Sequence, residues 1–209
     1  MKQHFASIMT AFVVIAVLFT GFDSHAQSRK RVPIEYQNSE VSFTGDDRFI
    51  ARRFAWEPFS SDYIWQENLQ FNNGFVSYAQ LVPGYFFTGQ NAGKDSFVDT
   101  FNGSRWIARR GVSVTEQDVK EGSNNDGDYY YATKSNGDKA CGLAKIFTGD
   151  TNADGGMVAV GTMVASVYIC WESYNGTVSE METALIDIMS RMRLDEGKLN
   201  KARAARGDR

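Results

Sequence analysis

The chain has 209 residues and a formal net charge of −3, from 22 basic and 25 acidic side chains. A balance so near neutrality gives no electrostatic ground for nucleic-acid binding. Histidine occurs only at positions 4 and 25 and cysteine only at 141 and 170, which removes most histidine- and thiol-based chemistry once the start of the chain is understood.

That start reads as a secretory leader. Lys2 precedes an apolar run from Ala11 to Phe19, and Ser24-His25-Ala26 offers the small residues that signal peptidase requires. The run is far shorter than the roughly 20 residues needed to cross a bilayer. Residues 1–26 are therefore expected to be a cleavable signal, and the chain from Gln27 onward an exported protein, periplasmic or extracellular, with no stable membrane span. Cleavage removes His4 and His25, so a Ser-His-Asp triad, a Cys-His pair, a histidine zinc site and a histidine general base all fall away. An exported pair of cysteines is expected to form one disulfide, Cys141–Cys170. It withdraws both thiols from chemistry and adds about 3 kcal/mol by closing its loop.

Residues 27–47 are polar and mixed in charge, and are expected to form a poorly ordered lead-in. From Arg48 the texture changes to short aromatic and β-branched runs separated by Gly, Asn and Asp, the pattern of antiparallel strands joined by turns. The expected strands are 49–56, 74–82, 85–88, 97–101, 105–110, 128–134, 139–147 and 163–171, within a single α+β domain spanning 48–195. Between the first two of these, Glu57, Asp62 and Glu67 stand among Trp56, Phe59, Tyr63 and Trp65. Carboxylates beside aromatic rings suit sugar binding or glycoside hydrolysis, and Trp56 and Trp65 are taken as ligand-binding candidates. The competing reading packs these rings into the core.

Gly89 to Lys94 resembles a phosphate loop only superficially, being one residue short between its glycines and carrying Asp95 where Ser or Thr is required. Asn102-Gly103 and Asn136-Gly137 lie between apolar runs and predict two tight hairpins. On a strand over 105–110, Arg105 and Arg109 would share one face and Trp106 and Arg110 the other. The Arg105/Arg109 pair is a candidate for holding a carboxylate or an anionic glycan. Residues 113–121 suggest a short helix capped by Ser113 or Thr115, and Asn124 to Asp128 a turn. Asn102-Gly103-Ser104 and Asn175-Gly176-Thr177 also match the glycosylation pattern.

Asp150, Asn152 and Asp154, followed by Gly155, reproduce the first half of a looped calcium site. The second half fails, because Gly161 occupies the twelfth position where a bidentate Glu belongs. Calcium is thus the one candidate cofactor, set against an ordinary loop of turn-forming residues. No G-x-S-x-G and no Ser-x-x-Lys is present.

The C-terminal third supports a register. If Cys141 faces Cys170 on neighbouring antiparallel strands, Leu143 faces Tyr168, Lys145 faces Ser166 and Phe147 faces Val164. Gly142, Ala144 and Ile146 then share the opposite side with Ala165, Val167 and Ile169, a shallow apolar surface fit to seat a helix. A helix follows directly. Ser179 with Glu182 forms a capping box, Met181, Leu185, Ile188, Met189 and Met192 fall on one face, and acidic and basic residues sit at the ends that the helix dipole favours. Beyond it, 196–209 is expected to be a charged mobile tail, whose Arg206-Gly207-Asp208 spells an adhesion tripeptide from three common residues.

This closing pattern of Cys141 to Phe147, a Gly-rich loop, Val167-Tyr168-Ile169-Cys170-Trp171 and an amphipathic helix resembles uncharacterised exported proteins of Gram-negative bacteria. The resemblance covers about the last 60 residues and implies an envelope or periplasmic setting. The sequence thus predicts one antiparallel sheet of five to eight strands with a C-terminal amphipathic helix on one face. The expected function is a non-catalytic binding or structural module whose partner is an envelope protein or glycan. Two alternatives stand beside it: a carboxylate-based hydrolase of envelope polysaccharide, and a calcium-stabilised adhesin-like module.

Overall fold

The computed structural model describes residues 30–45, 48–57, 63–81, 87–88, 92–148, 159–172 and 176–195. In chain order its strands begin with β1 (Lys30–Pro33), β2 (Val41–Phe43), β3 (Arg52–Glu57), β4 (Tyr63–Phe71), β5 (Gly74–Leu81) and β6 (Phe87–Thr88). Two helices follow, α1 (Lys94–Gly103) and α2 (Arg105–Ala108). Then come β7 (Lys120–Asn124), β8 (Gly127–Asn136), β9 (Lys139–Thr148), β10 (Ala159–Gly161) and β11 (Met163–Trp171). Helix α3 (Val178–Arg191) and strand β12 (Met192–Leu194) complete the order.

Eight strands form one antiparallel sheet in the order β1-β3-β4-β5-β11-β9-β8-β7, so the fold is α+β as expected. At its centre β9 and β11 pair in the register that the cysteines impose, with Cys141 opposite Cys170, Leu143 opposite Tyr168, Lys145 opposite Ser166 and Phe147 opposite Val164. The disulfide is formed, across a Cα separation of 4.1 Å. On the alternate positions Gly142, Ala144, Ile146, Ala165, Val167 and Ile169 make the seat for α3, which buries Met181, Leu185 and Met189 there, followed by Met192. A Cβ on Gly142 would lie 3.3 Å from Leu185 Cδ2 and 3.0 Å from Thr133 Cγ2, so the absent side chain is what lets the helix approach. Each of these fully buried side chains contributes roughly 1.5–3 kcal/mol. Glu182 adds two polar ties, accepting from Tyr131 Oη at 3.0 Å and pairing with Lys120 at 2.6 Å. Burial, helped by this carboxylate, pushes the Tyr131 pKa up to about 12.

The cap of α3 is displaced by one copy of its motif. Thr177 and Glu180 form the reciprocal box, with the Glu180 amide donating to Thr177 Oγ1 at 3.2 Å. The sequence carries the pattern twice, at Thr177–Glu180 and Ser179–Glu182. The later glutamate is engaged with β7 and β8 instead.

Several expectations need correcting. Residues 97–101 and 105–110 are not strands: they lie in and around α1 and α2. Phe97 and Phe101 are one helical turn apart, and both are buried with Ile107 against Ala132, Leu143 and the disulfide. In so short a run, spacings of two and of four fit the same residues, and the apolar second face of β8 and β9 decides between them. Asn102-Gly103 accordingly ends a helix instead of turning a hairpin. The Asn102 side chain binds both backbone groups of Val114, each at 3.0 Å. Asn136-Gly137 does mark a hairpin, β8 to β9, with Asn136 opposite Lys139 and Gly137 at φ +62°.

The expected lead-in is also ordered over residues 30–45. β1 extends the sheet beside β3, and β2 pairs with β12. Polar composition hid this, because the fully buried apolar anchors of the segment are Val41 and Phe43, with Ile34 packed beside the same core. Finally, β4 occupies the aromatic stretch for which no strand was expected. The short helix expected at 113–121 is a single 3₁₀ turn, Glu116–Asp118, boxed by Thr115 and Asp118 and followed by β7. Residues 1–26 and 196–209 lie outside the described residues. Among those described, no helix is long and apolar enough to cross a membrane.

Candidate functional site

Several residues singled out from the sequence are occupied with holding the fold. Trp65 is buried and its indole donates to Glu67 Oε1 at 2.9 Å. Glu67 is itself only 1% exposed and also accepts from Ser39 Oγ and the Glu40 amide, both at 2.5 Å. Arg53 closes the cluster by donating to Ser39 Oγ at 3.0 Å and to the Val41 carbonyl at 2.9 Å. Burial pushes the Glu67 pKa up, against the lowering effect of these donors and of Arg53. The cluster fastens the segment before β2 onto β4, and its carboxylate faces no solvent. A substrate cannot reach it.

Trp56 lies on β3, half-buried, with the Arg31 guanidinium 4.6 Å above its ring. Since Ala55 shares the α3 side of the sheet with Glu67, alternation places Trp56 on the opposite side from Trp65. Arg105 and Arg109 are exposed on and just after α2. The helix also revises their neighbours, since Arg110 stacks 4.6 Å from the Trp106 ring and pairs with Glu172 at 2.9 Å. The four residues are not brought together into one site. Asp150, Asn152 and Asp154, like Phe59 and Asp62, lie outside the described residues.

The second face of the sheet holds what the sequence did not reveal. One row of directly paired residues crosses all eight strands: Pro33, Phe54, Asn68, Ser77, Ser166, Lys145, Tyr130 and Glu121. At the β7 end of this row opens a cleft of about 680 Å³, lined by Glu121, Ser123, Asp128, Tyr130, Lys145 and Phe147 from the sheet, with Ala92 just before α1 at its side. The size falls within the range of small-ligand sites.

Lys145 is the inner charge of this cleft. Its ammonium donates to Thr100 Oγ1 of α1 at 3.1 Å and lies 4.9 Å from the centroid of the Phe147 ring. Thr100 gives its own proton to the Ser96 carbonyl at 2.8 Å, which turns its lone pairs toward the lysine. Burial lowers the Lys145 pKa from its ordinary 10.5. At the outer end, Lys94 lies 5.8 Å from the Tyr130 ring centroid and pairs with Glu121 at 2.9 Å, which raises its pKa. The arrangement alternates cation and ring along a floor whose remaining groups are a hydroxyl and two carboxylates. It can hold an uncharged polar molecule against the rings or an anion against Lys145, with the Glu121 and Asp128 carboxylates at hand to accept hydrogen bonds.

A signal for this site was present, since a lysine inside an apolar strand is seldom even half-buried without a partner. Its partner Thr100 was assigned to a strand from sequence, so the cleft itself could not be assembled. Fold and cleft together define a disulfide-braced α+β sheet protein with an open polar-aromatic cleft on the face away from its C-terminal helix. No family model, no curated protein and no solved structure matches the chain, so a functional reading rests on its own residues.

Proposed function

We propose that the protein is an exported, non-catalytic binding module of the cell envelope, periplasmic or extracellular, that holds a saccharide in the cleft over Tyr130, Lys145 and Phe147. The observation that carries the reading is the cleft's composition. Two aromatic rings lie on the floor beside Ser123, Asp128 and Glu121, the side-chain types that accept from and donate to sugar hydroxyls while a ring covers the apolar face. The chemistry the chain lacks agrees with binding without turnover: no histidine remains after the expected leader, and both cysteines are bridged.

The test is a melting series with soluble envelope glycans, with calcium and with EDTA. A ligand that binds only the folded state raises the midpoint in proportion to its occupancy. The reading predicts a rise with glycan and none with calcium. A rise with calcium that EDTA reverses, without any glycan effect, would favour the calcium-stabilised module and sink this one.

The carboxylate-based hydrolase keeps one supporting observation, that Glu121 and Asp128 both line the cleft. Turnover of a polysaccharide that disappears in both Glu121→Gln and Asp128→Asn would replace binding by hydrolysis.

A further inference from the structure

We infer that two copies of this chain join edge to edge through β7, so that the partner subunit's Glu121 enters each cleft and the two clefts become one groove. Such pairing goes beyond the saccharide reading and does not depend on it.

Strand β7 leaves backbone groups open on its outer side. Asn124 and Gly127 close a two-residue hairpin and so exchange both backbone hydrogen bonds. The alternation of an antiparallel ladder gives the same role to Gly122 with Tyr129 and to Lys120 with Tyr131. The N–H and C=O groups of Glu121 and Ser123 therefore point away from β8. Among the described residues no strand pairs with that side of β7. An edge with its ladder groups open is a template for another strand.

The opposite edge of the sheet, β1, is built differently. Ile34 donates to the Arg53 carbonyl at 3.2 Å, which by the same alternation turns Arg31 and Pro33 outward. Proline has no N–H to offer, and Lys30 and Arg31 set two positive charges beside it, so β1 is closed to pairing. In β7 there is no proline and the register is regular. Its two charged side chains are matched within the chain, Lys120 by Glu182 at 2.6 Å and Glu121 by Lys94 at 2.9 Å, so little charge is left to repel an incoming strand.

The register selects a second copy as that strand. A twofold axis beside Gly122, perpendicular to the sheet, sets Glu121 opposite Ser123 of the partner subunit and Lys120 opposite the partner subunit's Asn124. Both outward residues of each copy then fall in hydrogen-bonded pairs, and no like charges face each other. An axis beside Glu121 would instead oppose two carboxylates. Glu121 and Ser123 both line the cleft, and directly opposed residues share a face of the sheet. The partner's Glu121 thus lies beside Ser123, whose hydroxyl can donate to its carboxylate. The paired residues Asp128 and Ser123 run on through the partner's Glu121, Tyr130 and Lys145. From β9 of one copy to β9 of the other the groove crosses five strand spacings, about 24 Å.

The experiment is sedimentation equilibrium of the purified protein over about a hundredfold range of concentration. The mass should pass from one chain to two. Ser123→Pro removes an outward N–H without touching the ladder to β8, and should raise the dimer dissociation constant at least about tenfold. Circular dichroism shows whether that variant is folded. Register is read separately, by mixing Glu121→Cys protein with Ser123→Cys protein under mild oxidation. Opposed Cα atoms in a hydrogen-bonded pair lie about 5.5 Å apart, within disulfide reach, so the mixture should cross-link and neither variant alone should. A single-chain mass at every concentration overturns the inference. So does a dimer that folded Ser123→Pro leaves as tight as before, or cross-linking as strong within each variant alone as in the mixture.

Discussion

The buried cluster around Glu67 offers the sharpest test of how this fold is held. Replacing Glu67 by alanine removes the acceptor shared by Ser39 Oγ, the Glu40 amide and the Trp65 indole, all buried, and takes the counter-charge from beside Arg53. Breaking a buried charged network from one side costs about 3 to 5 kcal/mol, or about 6 to 20 °C in melting midpoint for a chain of this size. Glutamine behaves differently. Its carbonyl can keep the Glu40 and Trp65 bonds that now end on Oε1. Its amide can donate to Ser39 Oγ, whose one proton then turns from Glu67 to the Val41 carbonyl, 2.8 Å away. The lost attraction to Arg53 is offset by no longer burying a charge, so Glu67→Gln should cost less than about 1.5 kcal/mol. Urea unfolding followed by tryptophan fluorescence reads both, Trp65 being itself a reporter of the cluster. The reasoning is refuted if alanine and glutamine are equally damaging, or if alanine lies within about 1 kcal/mol of the wild type.

Three further outcomes follow from the same contacts. Gly142→Ala should destabilise by about 1 to 3 kcal/mol, because its methyl group would crowd Thr133, Ile169 and Leu185 at 3.0 to 3.3 Å; a neutral result in urea denaturation would show that these neighbours give way without cost. Asn102→Ala should cost about 1 to 2 kcal/mol by releasing both backbone groups of Val114, and Asn102→Asp, which keeps only the acceptor, should fall between it and the wild type. For pH, burial lowers the Lys145 pKa in the folded state, so below 10.5 there is a window in which the unfolded chain holds a proton the folded chain has shed. Stability from this group therefore rises as pH climbs through that window. Urea midpoints at pH 7 and 9.5 should show wild type gaining on Lys145→Met, and a constant difference would contradict the burial.

The parts legible in the sequence were those in which one constraint dictated several neighbours. A single disulfide fixed the alternation of two strands, and with it the small-residue face and the helix that needs it, so Cys141 to Phe147 could be paired in advance with Val164 to Cys170 and the helix placed over them. Where no such anchor existed, local pattern was ambiguous. Phe97 and Phe101 fit a strand or a helix equally, and only the surface waiting above Ala132 and Leu143 selects the helix. The aromatic and acidic stretch around Trp65 and Glu67 looked like a sugar site because the residues that neutralise it, Ser39 and Arg53, are remote in sequence. The cleft failed for the same reason. Lys145 and Tyr130 were on correctly assigned strands, but the wall that makes them a site comes from α1.

The pairing of β2 with β12 has a consequence for synthesis. Met192, Arg193 and Leu194 are zipped against Phe43, Ser42 and Val41, so two stretches far apart in the chain latch each other. A chain made from its amino end cannot close that latch until Leu194 has been added. Until then, the surface that α3 will cover stays open to chaperones and proteases, and a product truncated before Met192 would lack the latch altogether.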